Sequence, residues 1–310
     1  MTGDLSGTRI AIVGCGLIGL SWAALFRHYG ADVTLWDPDA AARAAAEDRM
    51  IHPLAQLREL TQGPENAGSV SVTADLAEAL KGAALIQENA PEDLSLKRGL
   101  YREIEALADP QAVLASSTSA LTWSDLAPGL ADPGRLITAH PFNPPHLVPL
   151  VELYGTDPAG LDRAEGIYRA ADRVPVRLKK DATGHIANRL ASALWREAVH
   201  IVAEGIADVA EVDMALVHGP GLRWSVLGAH MAYHLGGGSG GIEGYLAHLG
   251  PSQERRWSTL GTPSLTDAVQ AALIEGVLRA AEGRDILTLE AARDAGLIAA
   301  LKARRMSEDI

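Results

Sequence analysis

The chain has 310 residues, about twice the length of a typical domain, which predicts one large domain or two of unequal size around a substantial core. Apolar residues make up 47% and charged residues 21%, and no apolar run reaches the roughly 18 residues of a membrane span. The net charge of -12 argues against nucleic acid, and the single cysteine, Cys15, argues against a structural disulfide. Because the N-terminus lacks the pattern of a secretion signal, we expect a cytoplasmic protein with no membrane partner.

Eight short runs rich in β-branched residues predict strands, and helical patterns separate most of them. In chain order the runs are TRIAIVG, ADVTLWD, SVSVT, AALIQENA, AVLASS, RLITAH, VPLVEL and RVPVRL. Such alternation is typical of a parallel sheet with helices on both faces. After Lys179-Lys180-Asp181 the strands stop, and helices with glycine-rich breaks follow. We therefore predict an α/β fold, with a Rossmann-type, mostly parallel sheet domain over residues 1–183 and a smaller all-α domain over 184–310.

The first predicted strand leads into the pattern G-x-G-x-x-G, and a helical pattern follows directly. In a dinucleotide-binding loop the first glycine permits a tight turn, the second lets the pyrophosphate approach the backbone, and the third lets the helix pack on the strand. The phosphates then lie over the helix N-terminus. The loop residues are Gly14, Cys15, Gly16, Leu17, Ile18 and Gly19.

Asp37 closes the second predicted strand, where a carboxylate can accept hydrogen bonds from the adenosine ribose hydroxyls. The next cationic residue is Arg43, so a 2'-phosphate would meet negative charge. The sequence therefore predicts NAD as the cofactor, in preference to NADP.

His140 ends the strand RLITAH, and Glu152 follows in the next apolar run. A histidine with a buried carboxylate partner is a general-base pair, because the carboxylate fixes the tautomer and stabilises the imidazolium. We therefore predict that His140 takes a proton from a substrate hydroxyl while hydride leaves the same carbon. The other histidines, His185 among them, lack this context and are interpreted as structural. His230 and His234 have metal-ligand spacing without a third ligand, so no metal site is predicted.

Five motifs in order resemble the 3-hydroxyacyl-CoA dehydrogenase superfamily over essentially the whole chain: GCGLIG, EDLSLK, SSTSAL, HPFNPP with VPLVE, and GHIANRL. The resemblance implies that His140 is the base and Glu152 its partner. It also implies that Ser119 and Asn188 hydrogen-bond the substrate oxygen. Three further residues are expected near the nicotinamide half of NAD: Glu92, Lys97 and Asn143.

GPGLRW, residues 219–224, resembles the subgroup that acts on free 3-hydroxy acids, which includes L-gulonate 3-dehydrogenase, lambda-crystallin and L-carnitine dehydrogenase. Coenzyme A needs Lys and Arg to hold its phosphates, yet the stretch 38–63 carries three arginines against four acids. A free acid needs one cation, for which we predict Arg223. The aromatic residues of the helical half are candidates for caging a trimethylammonium group: Trp195, Trp224, Tyr233, Tyr245 and Trp257.

These observations predict an NAD-dependent oxidoreductase that converts a 3-hydroxy acid to a 3-oxo acid. One alternative is a short-chain L-3-hydroxyacyl-CoA dehydrogenase. The other is a non-catalytic, crystallin-like NAD-binding protein, against which the joint presence of Ser119, His140, Glu152 and Asn188 argues. The C-terminal helices carry more apolar surface than one face of an α/β domain can cover. We therefore predict a homodimer formed through the α domain.

Overall fold

The computed structural model describes residues 3–61, 63–64 and 67–305. These residues form two compact units. The first runs through Asn188 and also includes Asp294–Ala303, near the C-terminus. The second contains Arg189–Arg293. The domain boundary expected at residue 183 stays a prediction.

One eight-stranded sheet forms the centre of the first unit, in the order β3-β2-β1-β4-β5-β6-β7-β8. All eight predicted runs form strands, and every neighbouring pair is parallel except β6 with β7, which is antiparallel. The predicted mostly parallel sheet is confirmed. The strands are β1 (Arg9–Val13), β2 (Asp32–Trp36), β3 (Val70–Thr73), β4 (Leu85–Glu88), β5 (Val113–Ser116), β6 (Leu136–Pro141), β7 (Leu150–Tyr154) and β8 (Val174–Arg177).

Helices cover both faces of the sheet, because alternate strand residues point to opposite faces. Ile10 and Ile12 belong to one buried cluster with Trp22 of the first helix, whereas Ala11 and Val13 belong to the other. The helices are α1 (Leu17–His28), α2 (Ala40–Ala44), α3 (Ala46–Leu60), α4 (Leu76–Leu80), α5 (Leu94–Leu107), α6 (Trp123–Leu126) and α7 (Pro158–Ala170), with a 3₁₀ turn at Pro133–Arg135.

Helices are the only regular secondary structure in the described part of the chain after β8, which confirms the predicted helical C-terminal half. They are α8 (Ala187–Ala203), α9 (Val209–His218), α10 (Pro220–Trp224), α11 (Ala229–Gly236), α12 (Gly241–Trp257), α13 (Asp267–Ala281) and α14 (Ile286–Arg305), with a 3₁₀ turn at Gly238–Gly240. Within the described residues, no helix combines the length and the apolar character that a membrane span requires.

The final helix supplies part of the first unit. Ile298 of α14 packs with Leu60 and Leu147 in a small buried cluster. Gln56 donates a hydrogen bond through Nε2 to Asp294 Oδ2 at 2.9 Å, and this contact is buried. The C-terminal segment is therefore bound to α3 by both apolar and polar contacts.

Candidate active site

The glycine loop between β1 and α1 leaves room for a ligand on its outer side. Gly14 has a φ of +102°, and a Cβ on it would lie 2.9 Å from the Asn89 carbonyl oxygen. A Cβ on Gly19 would lie 1.9 Å from the Gly14 carbonyl oxygen, so helix and loop pack too closely for any side chain. A Cβ on Gly16, by contrast, would meet nothing within 4 Å. Since no side chain caps α1 at Gly16, its first N–H groups are available to a phosphate.

Asp37 stands just beyond β2, beside this loop. Its Oδ2 accepts the N–H of Cys15 at 2.8 Å, and its Oδ1 accepts the N–H of Asp39 at 2.9 Å. A carboxylate has about four acceptor positions, so capacity remains for ribose hydroxyls. Burial and the Asp37 charge raise the pKa of the Cys15 thiol to about 11, which makes it unreactive. The glycine loop and Asp37 together fit a bound dinucleotide.

Two arginines near Asp37 are already bonded to the backbone. Arg43 Nη1 donates to the carbonyl oxygens of Asp37 at 2.6 Å and Pro38 at 3.0 Å. Arg49 Nη1 donates to the carbonyl oxygen of Cys15 at 3.2 Å. Both guanidinium groups therefore support the loop around the predicted adenosine site.

His140 and Glu152 are directly opposite each other in the antiparallel pair β6–β7. His140 Nδ1 and Glu152 Oε2 lie 2.8 Å apart, and both side chains are buried. Burial acts to raise the pKa of Glu152, but hydrogen bonds from His140 and from the N–H groups of Ala187 and Ile186 outweigh it and hold that pKa below its usual value. The ionised carboxylate fixes the proton on Nδ1, which leaves Nε2 as the atom able to accept a proton.

Three side chains surround the His140 ring besides Glu152. Asn188, in the first turn of α8, places Nδ2 at 3.4 Å from His140 Nε2. Phe142 approaches edge-on, with ring centroids 6.2 Å apart. His185 stacks face to face, with centroids 4.6 Å apart and planes 12° apart. The structure thus brings His140, Glu152 and Asn188 together, and it adds His185, which the sequence had not distinguished from other histidines.

Glu92 holds the loop after β5. Its Oε1 accepts the hydroxyl of Thr118 at 2.6 Å and the N–H groups of Ser119 at 2.9 Å and Ala120 at 2.8 Å. Burial acts to raise the pKa of Glu92, but the Thr118 and Ala120 hydrogen bonds and the Lys97 charge lower it below its usual value. Glu92 and Ser119, both predicted near the reacting groups, are therefore neighbours.

Lys97 is buried, and its ammonium group makes two hydrogen bonds and one longer ion pair. Its Nζ donates to Glu88 Oε1 at 2.7 Å and to the Ala90 carbonyl oxygen at 3.0 Å, and it lies 3.7 Å from Glu92 Oε2. Glu88 in turn accepts hydrogen bonds from the hydroxyl groups of Tyr101 and Ser116. The sequence motif had pointed to Glu92 and Lys97 but not to Glu88, because nothing in a strand-like run reveals that its carboxylate is buried.

The group His140, Glu152 and His185 has ligand atoms within 4.8 Å of one another. Both oxygens of Glu152 already accept hydrogen bonds, and the parallel imidazole planes do not aim their lone pairs at one point. This arrangement suits proton transfer better than metal coordination. His234 Nδ1 accepts the N–H of Ile242 at 3.1 Å, so that ring has a structural partner.

Asn143, Arg223 and the predicted aromatic residues are the remaining candidates. Asn143 is exposed and precedes Pro144 through a cis peptide bond. Arg223 belongs to the second unit, where it is exposed on α10, so its role stays a prediction. In the same unit the rings of Tyr233 and Tyr245 contact each other, with centroids 5.0 Å apart. Four aromatic side chains there are exposed: Trp195, Trp224, Tyr233 and Trp257.

Comparison with known families matches nearly the whole chain. The family profile "3-hydroxyacyl-CoA dehydrogenase, NAD binding domain" matches residues 9–182. The profile "3-hydroxyacyl-CoA dehydrogenase, C-terminal domain" matches residues 184–276. Both halves thus match one family in its usual order.

Similar proteins include several L-carnitine dehydrogenases. That of Streptomyces griseus is 44% identical, over 95% of this chain and 89% of its own length. That of Streptomyces coelicolor is 41% identical, over 98% and 96%, and that of Pseudomonas putida is 37% identical, over 96% and 94%.

Among solved structures, the chain is similar to an NAD-dependent 5-formyl-3-hydroxy-2-methylpyridine 4-carboxylic acid 5-dehydrogenase. The TM-score is 0.81 and the identity 27%, over 97% of this chain and 98% of the other. Mycobacterium tuberculosis FadB2 gives a TM-score of 0.64 at 30% identity, over 70% and 79%.

Proposed function

The chain belongs to the 3-hydroxyacyl-CoA dehydrogenase family and is an NAD-dependent oxidoreductase that acts on the CH–OH group of 3-hydroxy acids, and from this premise we propose that its substrate is L-carnitine. The product is the corresponding 3-oxo acid. The observation that carries the chemistry is the buried hydrogen bond between His140 Nδ1 and Glu152 Oε2, which leaves Nε2 to act on a hydroxyl group. The substrate is proposed from the L-carnitine dehydrogenases that match this chain over nearly its full length.

His140 is the general base in this proposal. Its Nε2 accepts the proton of the substrate hydroxyl, and the positive charge that develops on the ring is stabilised by Glu152 at 2.8 Å. Because the Ile186 and Ala187 N–H groups keep Glu152 ionised, the carboxylate does not take the proton itself. Asn188 is assigned to hydrogen-bond the oxygen that loses its proton, and its support is that Nδ2 lies 3.4 Å from His140 Nε2.

Bound NAD would supply the acceptor for the hydride that leaves C3 of the substrate. The loop Gly14–Gly19, with Leu17 and Ile18 in the first turn of α1, would hold its pyrophosphate, and Asp37 would hold its adenosine ribose. Glu92 and Asn143 are assigned to the nicotinamide end. Lys97 is assigned there through Glu92, whose Oε2 lies 3.7 Å from its Nζ, while its hydrogen bonds go to Glu88 and Ala90.

A free acid suits the charges of this chain better than a CoA ester. Arg43 and Arg49 each use Nη1 to support the backbone of the loop, and acids outnumber arginines over residues 38–63, so this surface offers little spare positive charge to the phosphates of coenzyme A. Arg223 is exposed, and we assign it to the substrate carboxylate. Ser119 is assigned to the substrate oxygen. The Tyr233 and Tyr245 pair supplies aromatic surface of the kind that attracts a trimethylammonium group.

The functional unit is proposed to be a homodimer formed through the helical half. Its support is the large number of apolar side chains that stay exposed on those helices. They include Val217, Leu222, Leu235, Leu246, Ile274 and Leu278.

The test is NADH formation with a panel of substrates. L-carnitine, D-carnitine, L-3-hydroxybutyrate and L-3-hydroxybutyryl-CoA would be compared at equal concentration. We expect the highest kcat/KM with L-carnitine. Higher kcat/KM with the CoA ester would establish the second candidate, a short-chain L-3-hydroxyacyl-CoA dehydrogenase.

A further inference from the structure

The turn between β8 and α8 has an unusual backbone. Gly184 has a φ of +75° and His185 a φ of +50°, so two successive residues are left-handed. Glycine accepts this conformation at no steric cost, whereas side chains other than Asn, Asp and His rarely adopt it. The N–H of His185 closes the turn on the Ala182 carbonyl oxygen at 3.1 Å.

This turn directs the following backbone at Glu152. The N–H groups of Ile186 and Ala187 both donate to Glu152 Oε1, at 2.7 and 2.9 Å. A right-handed residue at His185 would send the chain in another direction, and these two donors would leave the carboxylate. The backbone conformation of His185 therefore determines how Glu152 is held.

The side chain of His185 contacts the other member of the pair. The residue is only 3% exposed, and its ring covers one face of the His140 imidazole, with ring centroids 4.6 Å apart and planes 12° apart. Its Nδ1 is buried and has no hydrogen-bond partner among the residues that the structure describes. A buried nitrogen without a hydrogen-bond partner costs free energy, and so does a left-handed backbone at a residue other than glycine. Such costs concentrate at functional sites.

The side chain of His185 is neutral near pH 7. Burial first, and then the neighbouring His140, lowers its pKa to about 4, although Glu152, Asp181 and Glu92 act in the opposite direction. A neutral ring does not compete with His140 for a proton or for Glu152. It also excludes water from one face of the His140 ring.

We infer that His185 is a positioning residue for the dehydrogenation, which holds Glu152 through its backbone turn and His140 through its stacked ring. This inference rests on the proposed role of His140 as the base. It also explains the residue type, because the position needs a flat ring and a left-handed backbone. Histidine is the aromatic residue that is enriched at positive φ.

Two substitutions separate the turn from the ring. His185→Asn keeps a residue that accepts the left-handed turn and removes the ring, whereas His185→Phe keeps a ring and strains the turn. His52→Asn is the matched control, because His52 is exposed on α3 and far in sequence from the site. The measurements are kcat, KM, the pH profile of kcat/KM, NAD affinity and the thermal unfolding midpoint.

We expect His185→Asn to lower kcat about 10- to 100-fold, as small misplacements of reacting groups do, with KM and NAD affinity within threefold of the parent. The acid limb of its pH profile should move to higher pH, because water that reaches the His140 ring favours the protonated form. His185→Phe should recover most of the lost kcat and keep the parent acid limb, with a lower unfolding midpoint. His52→Asn should match the parent throughout.

The inference is overturned if His185→Asn keeps the parent kcat and acid limb, or if folded His185→Phe and His185→Asn lose kcat equally. Should His185→Phe not fold, the acid limb of His185→Asn decides alone. His140→Asn, measured beside them, distinguishes failure of the proposed base from failure of the role inferred for His185. If His140→Asn retains activity, the proposed base is wrong, whereas an inactive His140→Asn beside a fully active His185→Asn removes only the role of His185.

Discussion

Asp37 accepts a hydrogen bond from the N–H of Cys15 at 2.8 Å, so the acid that follows β2 is fastened to the glycine loop that follows β1. One carboxylate thus serves two purposes in the proposed cofactor site. It fixes the shape of the loop, and it presents negative charge where an adenosine ribose would lie. Loss of this side chain should therefore affect both the loop and the choice of cofactor.

The parent protein should prefer NAD over NADP by at least tenfold in kcat/KM, about 1.4 kcal/mol, because the 2'-phosphate would lie against Asp37. Asp37→Ala should raise KM for NAD and narrow this ratio, since Arg43 stays nearby. Asp39→Asn is the control, because it keeps a capping side chain at α2. Equal kcat/KM for the two cofactors in the parent protein would contradict the assignment of Asp37.

His140→Asn should lower kcat by about 10²- to 10⁴-fold, because asparagine cannot take the proton of the substrate hydroxyl. NAD affinity, measured by equilibrium titration, should stay close to that of the parent. An unfolding midpoint near the parent value will show that the variant is folded. Activity within threefold of the parent, in a folded variant, would remove His140 from the mechanism.

The buried His185 should make stability depend on pH between about 6.5 and 4. Burial and His140 lower its folded pKa from 6.5 to about 4, so the unfolded chain binds a proton at a higher pH than the folded chain does. The free energy of unfolding therefore contains a contribution from neutral His185 that is complete above pH 6.5. This contribution, up to about 3 kcal/mol, is lost as the pH falls toward 4. Denaturant unfolding at pH 7, 6, 5 and 4 measures it. In His185→Phe the free energy of unfolding should fall less between pH 6.5 and 4, by that amount. An identical fall in the variant and the parent would contradict the interpretation of His185 as a buried neutral histidine.

Arg223→Met should weaken binding of free 3-hydroxy acids by about 1.5 to 3 kcal/mol, chiefly in KM, if Arg223 pairs with the substrate carboxylate. Uncharged esters or amides of the same acids should be affected much less. Steady-state kinetics on both substrate series provides the comparison, with Arg255→Met as a control on another helix. An equal loss for acids and esters would show that Arg223 has a structural role.

Light scattering at micromolar concentration should give twice the chain mass of 32.6 kDa, because many apolar side chains of the helical half remain exposed. Leu278, 66% exposed on α13, is one of them, and Leu278→Glu should shift the mass toward the monomer if that helix is part of the interface. A parent mass of 32.6 kDa would contradict the proposed dimer.

Much of the first unit was predictable, because its signals are local. Strand runs, the spacing of Gly14 to Gly19 and the position of Asp37 each depend on a short stretch of chain, and all eight strands occur where predicted. The pair His140 and Glu152 was also predictable, since consecutive strands commonly lie side by side and both residues are chemically distinctive.

Other features depend on positions that no local pattern reveals. Glu88 resembles any polar residue at the end of a strand, yet it is the buried partner of Lys97. In sequence, His185 resembles the other histidines interpreted as structural, and its place over His140 follows from two left-handed residues in succession. Such relationships arise from backbone direction and burial, which are properties of the assembled fold.

The contacts of α14 with α3 mean that the first unit is not a continuous stretch of polypeptide. Synthesis of residues 1–188 leaves Leu60 and Leu147 without Ile298, which lies more than a hundred residues later in the chain. On the ribosome, the nucleotide-binding half therefore reaches its final core only after almost the whole protein has emerged. A gene fragment that stops before residue 294 therefore encodes a nucleotide-binding half in which Leu60 and Leu147 lack their contact with Ile298.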